Sequence, residues 1–264
     1  MIILGQYLPG DTLLHRLDPR VKILSVVALS ILIFGATTGE VVLISAFLFA
    51  AIRTAAMTPA QAFRALKPVA VFMAMIFFVH LLFTEGELLV SLAPLPMRIT
   101  REGILRGIYV TWQFAGLVLA AAVLTRTTSP SDLVGGIERL LRPFSRVGVP
   151  SQDIAVMIAM ALRFMPMLLE EYDRLRTAQM ARGADFTTGN LALRGRAIAA
   201  LAVPLLFSSF RRADELAVAM EARGYRRGPR TTLRELRFSG TDLHAFTVMA
   251  LFVLVNFAWK AAMG

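Results

Sequence analysis

The sequence predicts an all-α, polytopic membrane protein: about five transmembrane helices, with long amphipathic helices in a basic segment between the fourth and the fifth. Three observations predict it. The 264 residues are 56% hydrophobic, with a mean hydropathy of +0.64, above the roughly 45–50% apolar content of a soluble domain. The apolar residues come in blocks, not in thin stripes. The net charge of +10 is concentrated, because residues 126–237 hold 18 arginines against 11 acids and so contribute +7 of it.

The blocks run over about 21–36, 40–55, 68–84, 104–125 and 242–260. A spanning helix needs about 17–25 residues. The third, fourth and fifth blocks contain near-continuous apolar stretches. The first two are shorter and need their flanks to complete a span across a locally thinned bilayer; the alternative for that pair is a buried helical hairpin turning at Thr37-Thr38-Gly39-Glu40. Lys and Arg collect on cytoplasmic loops. Arg16, Arg20 and Lys22 precede the first block, Arg53, Arg64 and Lys67 lie between the second and third, and Arg126 follows the fourth. This orients the N-terminus and the basic segment to the cytoplasm and the C-terminus outside. The external loop over 84–103 carries Arg98 and Arg101, which cuts against the rule, though Glu85, Glu87 and Glu102 accompany them. Met1 to Gln6 has no basic flank before it, so no cleavable signal peptide is expected. The expected divisions are residues 1–125, 126–237 and 238–264.

Within the basic segment a first helix starts at Ser129-Pro130-Ser131-Asp132. Serine caps, proline suits the first helical position, and aspartate favours the positive end of the helix dipole. It ends near Leu141, before Pro143. A second helix begins after Val149-Pro150-Ser151 and continues to about Arg182, apolar over Ile154 to Leu162 and amphipathic beyond Arg163 and Pro166, where Glu170 and Arg174 stand at i,i+4. A third runs from about Leu193 to Arg223 and contains an apolar patch, Ala197 to Phe210, with Pro204 inside it. Both patches fall short of about 18 residues and are flanked by arginines, so these helices are expected along or just under the membrane. A seven-span chain is the alternative.

The second and third helices end alike. Asp173-Arg174-Leu175-Arg176-Thr177-Ala178-Gln179-Met180-Ala181-Arg182-Gly183 and Asp214-Glu215-Leu216-Ala217-Val218-Ala219-Met220-Glu221-Ala222-Arg223-Gly224 both fit D-x-L-x-x-A-x-x-A-R-G. One such ending alone is helix capping: glycine takes the left-handed conformation and arginine favours the negative end of the dipole. Two copies say more. Ala178 and Ala181, and again Ala219 and Ala222, leave thin helix ends that can enter a groove. The arginine then offers a fork of donors suited to a carboxylate. Paired tips of like shape imply two similar receptor grooves, as in a partner dimer or a related pair of subunits.

Other chemistries lack their residues. There is no cysteine, so no disulfide or thiolate site. None of Lys22, Lys67 and Lys260 follows a glycine, which excludes a GxxxxGK[ST] phosphate loop. His15, His80 and His244 are isolated, and no HExxH or GxSxG occurs, so neither a catalytic residue nor a metal ligand is expected. The interiors of the five blocks hold no acid to mark an ion path, which argues against an autonomous carrier or channel, the runner-up reading. The arginines are not interleaved with aromatics as a nucleic-acid surface requires.

The chain resembles the transmembrane T component of energy-coupling-factor (ECF) vitamin and metal transporters, in particular the shared, housekeeping group. The resemblance extends over nearly the whole length. It rests on Gly5-Gln6-Tyr7-Leu8-Pro9-Gly10-Asp11 followed by His15-Arg16-Leu17-Asp18-Pro19-Arg20, on Thr127-Thr128-Ser129-Pro130, on Ala161-Leu162-Arg163-Phe164-Met165-Pro166, and most specifically on the paired Ala-Arg-Gly endings. It implies a non-catalytic membrane scaffold without a cofactor of its own. Two ABC-type ATPases, usually a related pair, would bind Ala181-Arg182-Gly183 and Ala222-Arg223-Gly224, one arginine in each ATPase groove. A separate S component, which binds the vitamin or metal, would dock on apolar faces of the scaffold and reorient as the coupling helices tilt. Asp173, Leu175, Ala178, Asp214, Leu216 and Ala219 would support the tips, and Pro166 and Pro204 would permit bending.

Overall fold

The computed structural model describes residues 10–91, 98–147, 150–184, 186, 190–226 and 238–263. Gly5 to Pro9, part of the N-terminal resemblance, lie outside these residues. The chain divides into two compact units, residues 1–136 with 235–264, and residues 137–234.

The first unit is built from α1 (Leu13–Arg16), α2 (Pro19–Gly35), α3 (Glu40–Thr54), α4 (Pro59–Leu66), α5 (Ala70–Phe83), α6 (Arg101–Thr127), the first half of α7 (Pro130–Leu141), and α10 (Gly240–Met263). Among the described residues, four helices are long and apolar enough to cross a membrane: 59–83, 101–127, 151–181 and 240–262. This differs from the expected five in two ways. First, α2 and α3 have 17 and 15 residues, about 26 and 22 Å at 1.5 Å per residue, short of the roughly 30 Å hydrocarbon core. They form a hairpin, yet not a fully buried one, because Ile31, Phe34, Val42 and Phe49 are each more than 60% exposed. Second, the helix over 151–181, expected beneath the membrane, is apolar enough to span. Its N-terminal 18 residues, 151–168, include only Asp153 and Arg163 as charges.

The last carbonyls of a helix have no partner within it, and those of α2 find partners elsewhere in the unit. Long side chains of other helices supply them. Gln113 Nε2 on α6 donates to Ile33 O at 3.0 Å, Lys260 Nζ on α10 donates to Gly35 O at 2.9 Å, and the Tyr109 hydroxyl on α6 donates to Ala36 O. At the other end of the bundle, Lys22 Nζ donates to Thr127 O at 2.9 Å and so closes the last turn of α6. Leu29, Ile33, Ile44, Leu48, Ala120 and Met249 form the core where α2, α3, α6 and α10 meet.

Acids within this unit are structural. Glu40, 3% exposed, accepts Thr37 N–H at 2.5 Å and so holds the turn between α2 and α3. Asp242, 2% exposed, accepts Asp18 N–H at 2.6 Å and Ser239 N–H at 2.7 Å, tying the start of α2 to the start of α10. In the loop with Arg98 and Arg101 the chain forms a two-stranded antiparallel hairpin, β1 (Leu88–Ser91) and β2 (Arg98–Thr100), which the sequence reading did not contain. Arg101 there lies 3.9 Å from Glu87, an exposed pair.

The end of α3 contains strain that one substitution removes. Ala56 sits at φ +51°, accepting the left-handed conformation so that Met57 N–H can reach Ile52 O at 3.1 Å and Ala56 N–H can reach Arg53 O at 3.0 Å. A Cβ in that conformation costs about 1–2 kcal/mol. Ala56→Gly should raise stability by about 1 kcal/mol, part of the gain being offset by glycine's greater freedom when unfolded; thermal unfolding in detergent checks this.

The second unit comprises the end of α7, a 3₁₀ turn at Arg142–Val147, α8 (Ser151–Ala181) and α9 (Leu191–Ala222). All three helices of the basic segment begin and end within about two residues of the positions their caps predict. Pro166 and Pro204 lie inside unbroken helices, each removing one backbone hydrogen bond.

Candidate functional site: two arginine-tipped helix ends

The two Ala-Arg-Gly endings have the same geometry. Arg182 closes α8 at φ −88°, ψ 6°, and Arg223 closes α9 at φ −87°, ψ 10°. Gly183 and Gly224 follow at φ +87° and +73°. Gly183 N–H donates to Met180 O at 2.9 Å and Ala184 N–H to Gln179 O at 3.0 Å; Gly224 N–H donates to Glu221 O at 2.9 Å and Tyr225 N–H to Met220 O at 3.0 Å. Both are Schellman caps with the same two bonds at matching positions. The capping role is therefore real, and it explains the glycines. It does not explain the rest of the motif. Arg182 and Arg223 are exposed and make no ion pair among the described residues. Ala178, Ala181, Ala219 and Ala222 are also exposed, and no atom lies within 4 Å of where a Cβ on Gly183 or Gly224 would sit. Two slim helix ends thus present an exposed guanidinium that has no ion-pair partner among the described residues.

The likeness continues upstream of the motif, where residues 41 apart correspond. On α8 the half-buried positions of the arm are Glu171, Leu175 and Gln179; on α9 they are Arg212, Leu216 and Met220. Leu175 and Leu216 thus lie on the half-buried stripe, whereas Asp173 and Asp214 are exposed. At the top of the stripe the two helices join. Arg212 pairs with Glu171, its guanidinium also meeting the Met167 sulfur, and Ser208 Oγ lies 3.5 Å from Glu171. The pair joins corresponding residues of the two copies. Each arm from it to its arginine is 11 residues, about 16 Å of helix, so the two tips stand within roughly 35 Å of each other. The expected Glu170–Arg174 pair does not form among the described residues; the pair that does form joins Glu171 to Arg212 on the other helix.

This junction was missed in the sequence, although a signal existed. Extending the repeat upstream aligns Glu170 with Arg211, Glu171 with Arg212 and Arg174 with Glu215. The charges are opposite where the helices meet and identical at the tips. Glu171→Arg or Arg212→Glu alone places like charges at the junction and should cost about 1 kcal/mol or more, since the pair is only partly exposed. The double exchange should recover most of it, as read from the unfolding midpoints of the four proteins.

His15 Nδ1 meets Thr12 Oγ1 at 2.6 Å, His80 Nδ1 meets Thr84 Oγ1 at 3.4 Å, and His244 Nδ1 meets Gly240 O at 2.6 Å. They sit apart, in local turns. Among the described residues no group of His, Asp and Glu could hold a metal ion.

A largely helical membrane unit joined to a pair of helices with matched, exposed arginine ends defines a membrane subunit built to engage other proteins. The comparisons give the family. The family model described as CbiQ, cobalt transport protein, matches residues 10–233. A protein of Thermosediminibacter oceani is 40% identical over 98% of this chain and 99% of its own length; one of Heliobacterium modesticaldum is 43% identical over 99% and 98%; one of Bacillus subtilis is 36% identical over 98% of each. All three bear the name energy-coupling factor transporter transmembrane protein EcfT. This chain belongs to the family of transmembrane components of energy-coupling factor transporters. It is accordingly a multi-pass transporter membrane subunit, not an enzyme by itself.

Proposed function

We propose that the chain couples ATP hydrolysis by two partner ABC ATPases to the reorientation of a separate S component that binds a vitamin or metal. The observation that carries this reading is the pair of equivalent arginine-tipped arms. Arg182 and Arg223 would each enter one groove of a related ATPase pair, with the small residues Ala181, Gly183, Ala222 and Gly224 permitting close approach. A helix is stiff because its backbone bonds are internal, so a change in ATPase separation becomes a change in arm angle about the Glu171–Arg212 junction. Pro166 and Pro204, each lacking one backbone bond, would let the arms bend relative to the apolar halves of their helices. The N-terminus and residues 126–237 would face the cytoplasm, following the Lys and Arg bias. The S component would rest on apolar faces of the scaffold, and the chain would need no cofactor and no nucleic acid.

Affinity purification of the chain from its native membrane tests the proposal. Two ATPases and a small substrate-binding membrane protein should accompany it. Substrate movement into liposomes containing this chain alone would instead make it an autonomous carrier or channel and overturn the reading.

A further inference from the structure

The first unit holds a partly open cavity of about 390 Å³ among α2, α3, α6 and α10, within the size range of small-molecule sites. Its walls are hydrocarbon, including Leu29, Phe47, Leu48, Ala120, Val123 and Met249. The polar residues that line it turn away. Thr54 donates to Ala50 O at 2.9 Å and Ala51 O at 3.0 Å, Thr127 donates to Val123 O at 2.8 Å, and Lys22 Nζ donates to Thr127 O at 2.9 Å and His15 O at 3.3 Å. Of the lining hydroxyls only Ser25 is left with its donor uncommitted. Water in a cavity needs about two to four polar partners, and this interior does not supply them. It suits a hydrocarbon chain.

One end of the cavity is basic. Arg16, Arg53 and Arg126 are each one residue from a lining residue, Leu17, Thr54 and Thr127. The Lys22 bonds to His15 and Thr127 hold the first and third of these segments together, and the packing of Ala55 and Met57 on Val123 brings the second to the same end. Acids also stand at this end: Asp11 lies 3.8 Å from Arg16 with its side chain 95% exposed and so well screened, Asp18 pairs with Arg20 at 3.6 Å, and Asp132, Asp242 and Asp18 face Lys22, which leaves Arg53 and Arg126 without an ion pair among the described residues. Basic pockets between spanning helices take anionic lipid headgroups.

We infer that this cavity holds one acyl chain of an anionic phospholipid, drawn from the leaflet at the basic end of the bundle, with the headgroup phosphate against Arg16, Arg53 and Arg126. The chain fills the space between the short α2–α3 hairpin and α10. The lipid acts as a structural ligand and takes no part in the ATPase contact.

The test uses the full chain in nanodiscs of equal phosphatidylglycerol and phosphatidylcholine, followed by detergent extraction and native mass spectrometry. One phosphatidylglycerol should stay bound, preferred about tenfold over phosphatidylcholine because the arginines face a screened anionic headgroup. Ser25→Phe with Ala51→Phe, which fills the cavity, should abolish retention. A phosphatidylglycerol carrying a mid-chain diazirine tests the wild-type protein without depending on that variant's folding. Label should concentrate on Phe47 and Leu48 and exceed that on Phe72 and Val79, which are exposed on α5. Equal labelling of the two sets, equal retention of both lipids, or undiminished retention by a folded double variant would each overturn the inference.

Discussion

Reversing both tip arginines, Arg182→Glu with Arg223→Glu, should abolish co-purification of the ATPases while leaving the chain in the membrane at its normal level. The two halves of that outcome have separate causes. Neither guanidinium has an ion-pair partner among the described residues, so removing it breaks no ion pair of the fold. The cost within the chain is limited to a glutamate at each helix C-terminus, about 0.3–1 kcal/mol apiece from the dipole. The cost at the interface is far larger. Truncating a hydrogen-bonded charge buried at an interface typically loses about 2–5 kcal/mol, and reversal adds repulsion against the receiving carboxylate. Two sites together remove more than a micromolar complex has to lose. Single reversals leave one arm engaged and should weaken assembly without eliminating it. Arg182→Lys or Arg223→Lys should be intermediate, because lysine keeps the charge without the fork. Arg176→Glu is the control: it is exposed on the same arm, and its counterpart on the other is Ala217. ATPases retained by the doubly reversed chain would remove the basis of the proposed coupling.

Asp242→Ala should be the most damaging single substitution in the membrane unit. The carboxylate accepts two backbone N–H groups, from Asp18 at 2.6 Å and Ser239 at 2.7 Å, and the residue is 2% exposed. Alanine leaves the buried Asp18 N–H without a partner, at about 1–3 kcal/mol, and removes the acceptor of the partly buried Ser239 N–H, at less than that. The damage spreads through a connected set. Asp18 caps α2 through Arg20 N–H at 2.9 Å, and the Arg20 guanidinium lies 4.9 Å from the Phe238 ring centre. Loosening Asp18 loosens that whole corner. The unfolding midpoint should fall by roughly 10 °C, using about 2–4 °C per kcal/mol for a chain of this size. Asp242→Asn keeps one acceptor oxygen and should fall by about half as much. An unchanged midpoint for the alanine variant would mean that water reaches this corner.

These two predictions draw on different kinds of information. The arginine tips could be read directly, because D-x-L-x-x-A-x-x-A-R-G is a local pattern whose consequences unfold within three turns of helix. The same holds for the helix limits in the basic segment. A serine cap, a proline at the first position and a glycine after the last each act on backbone groups no more than four residues away. The membrane blocks were legible from composition for 68–84, 104–125 and 242–260, where the apolar run is long enough to decide by itself.

The chain alone did not settle the first two blocks, since a stretch of 15 or 17 residues is ambiguous until something caps its ends. Gln113, Tyr109 and Lys260 do that for α2 from 73 or more positions away. Asp242 lies 224 residues from Asp18, and Lys22 lies 105 from Thr127. Nothing in the spacing of such residues announces that they meet. Even the Glu171–Arg212 junction, 41 residues apart, needed two helices laid side by side before its charges had opposite numbers. Local sequence determined which segments are helices, how they stop and what stands at their tips, because those outcomes depend on a single turn of backbone. Tertiary structure alone decided which buried polar groups satisfy one another, because a hydrogen bond across the bundle exists only after packing has excluded water and brought the two partners within reach.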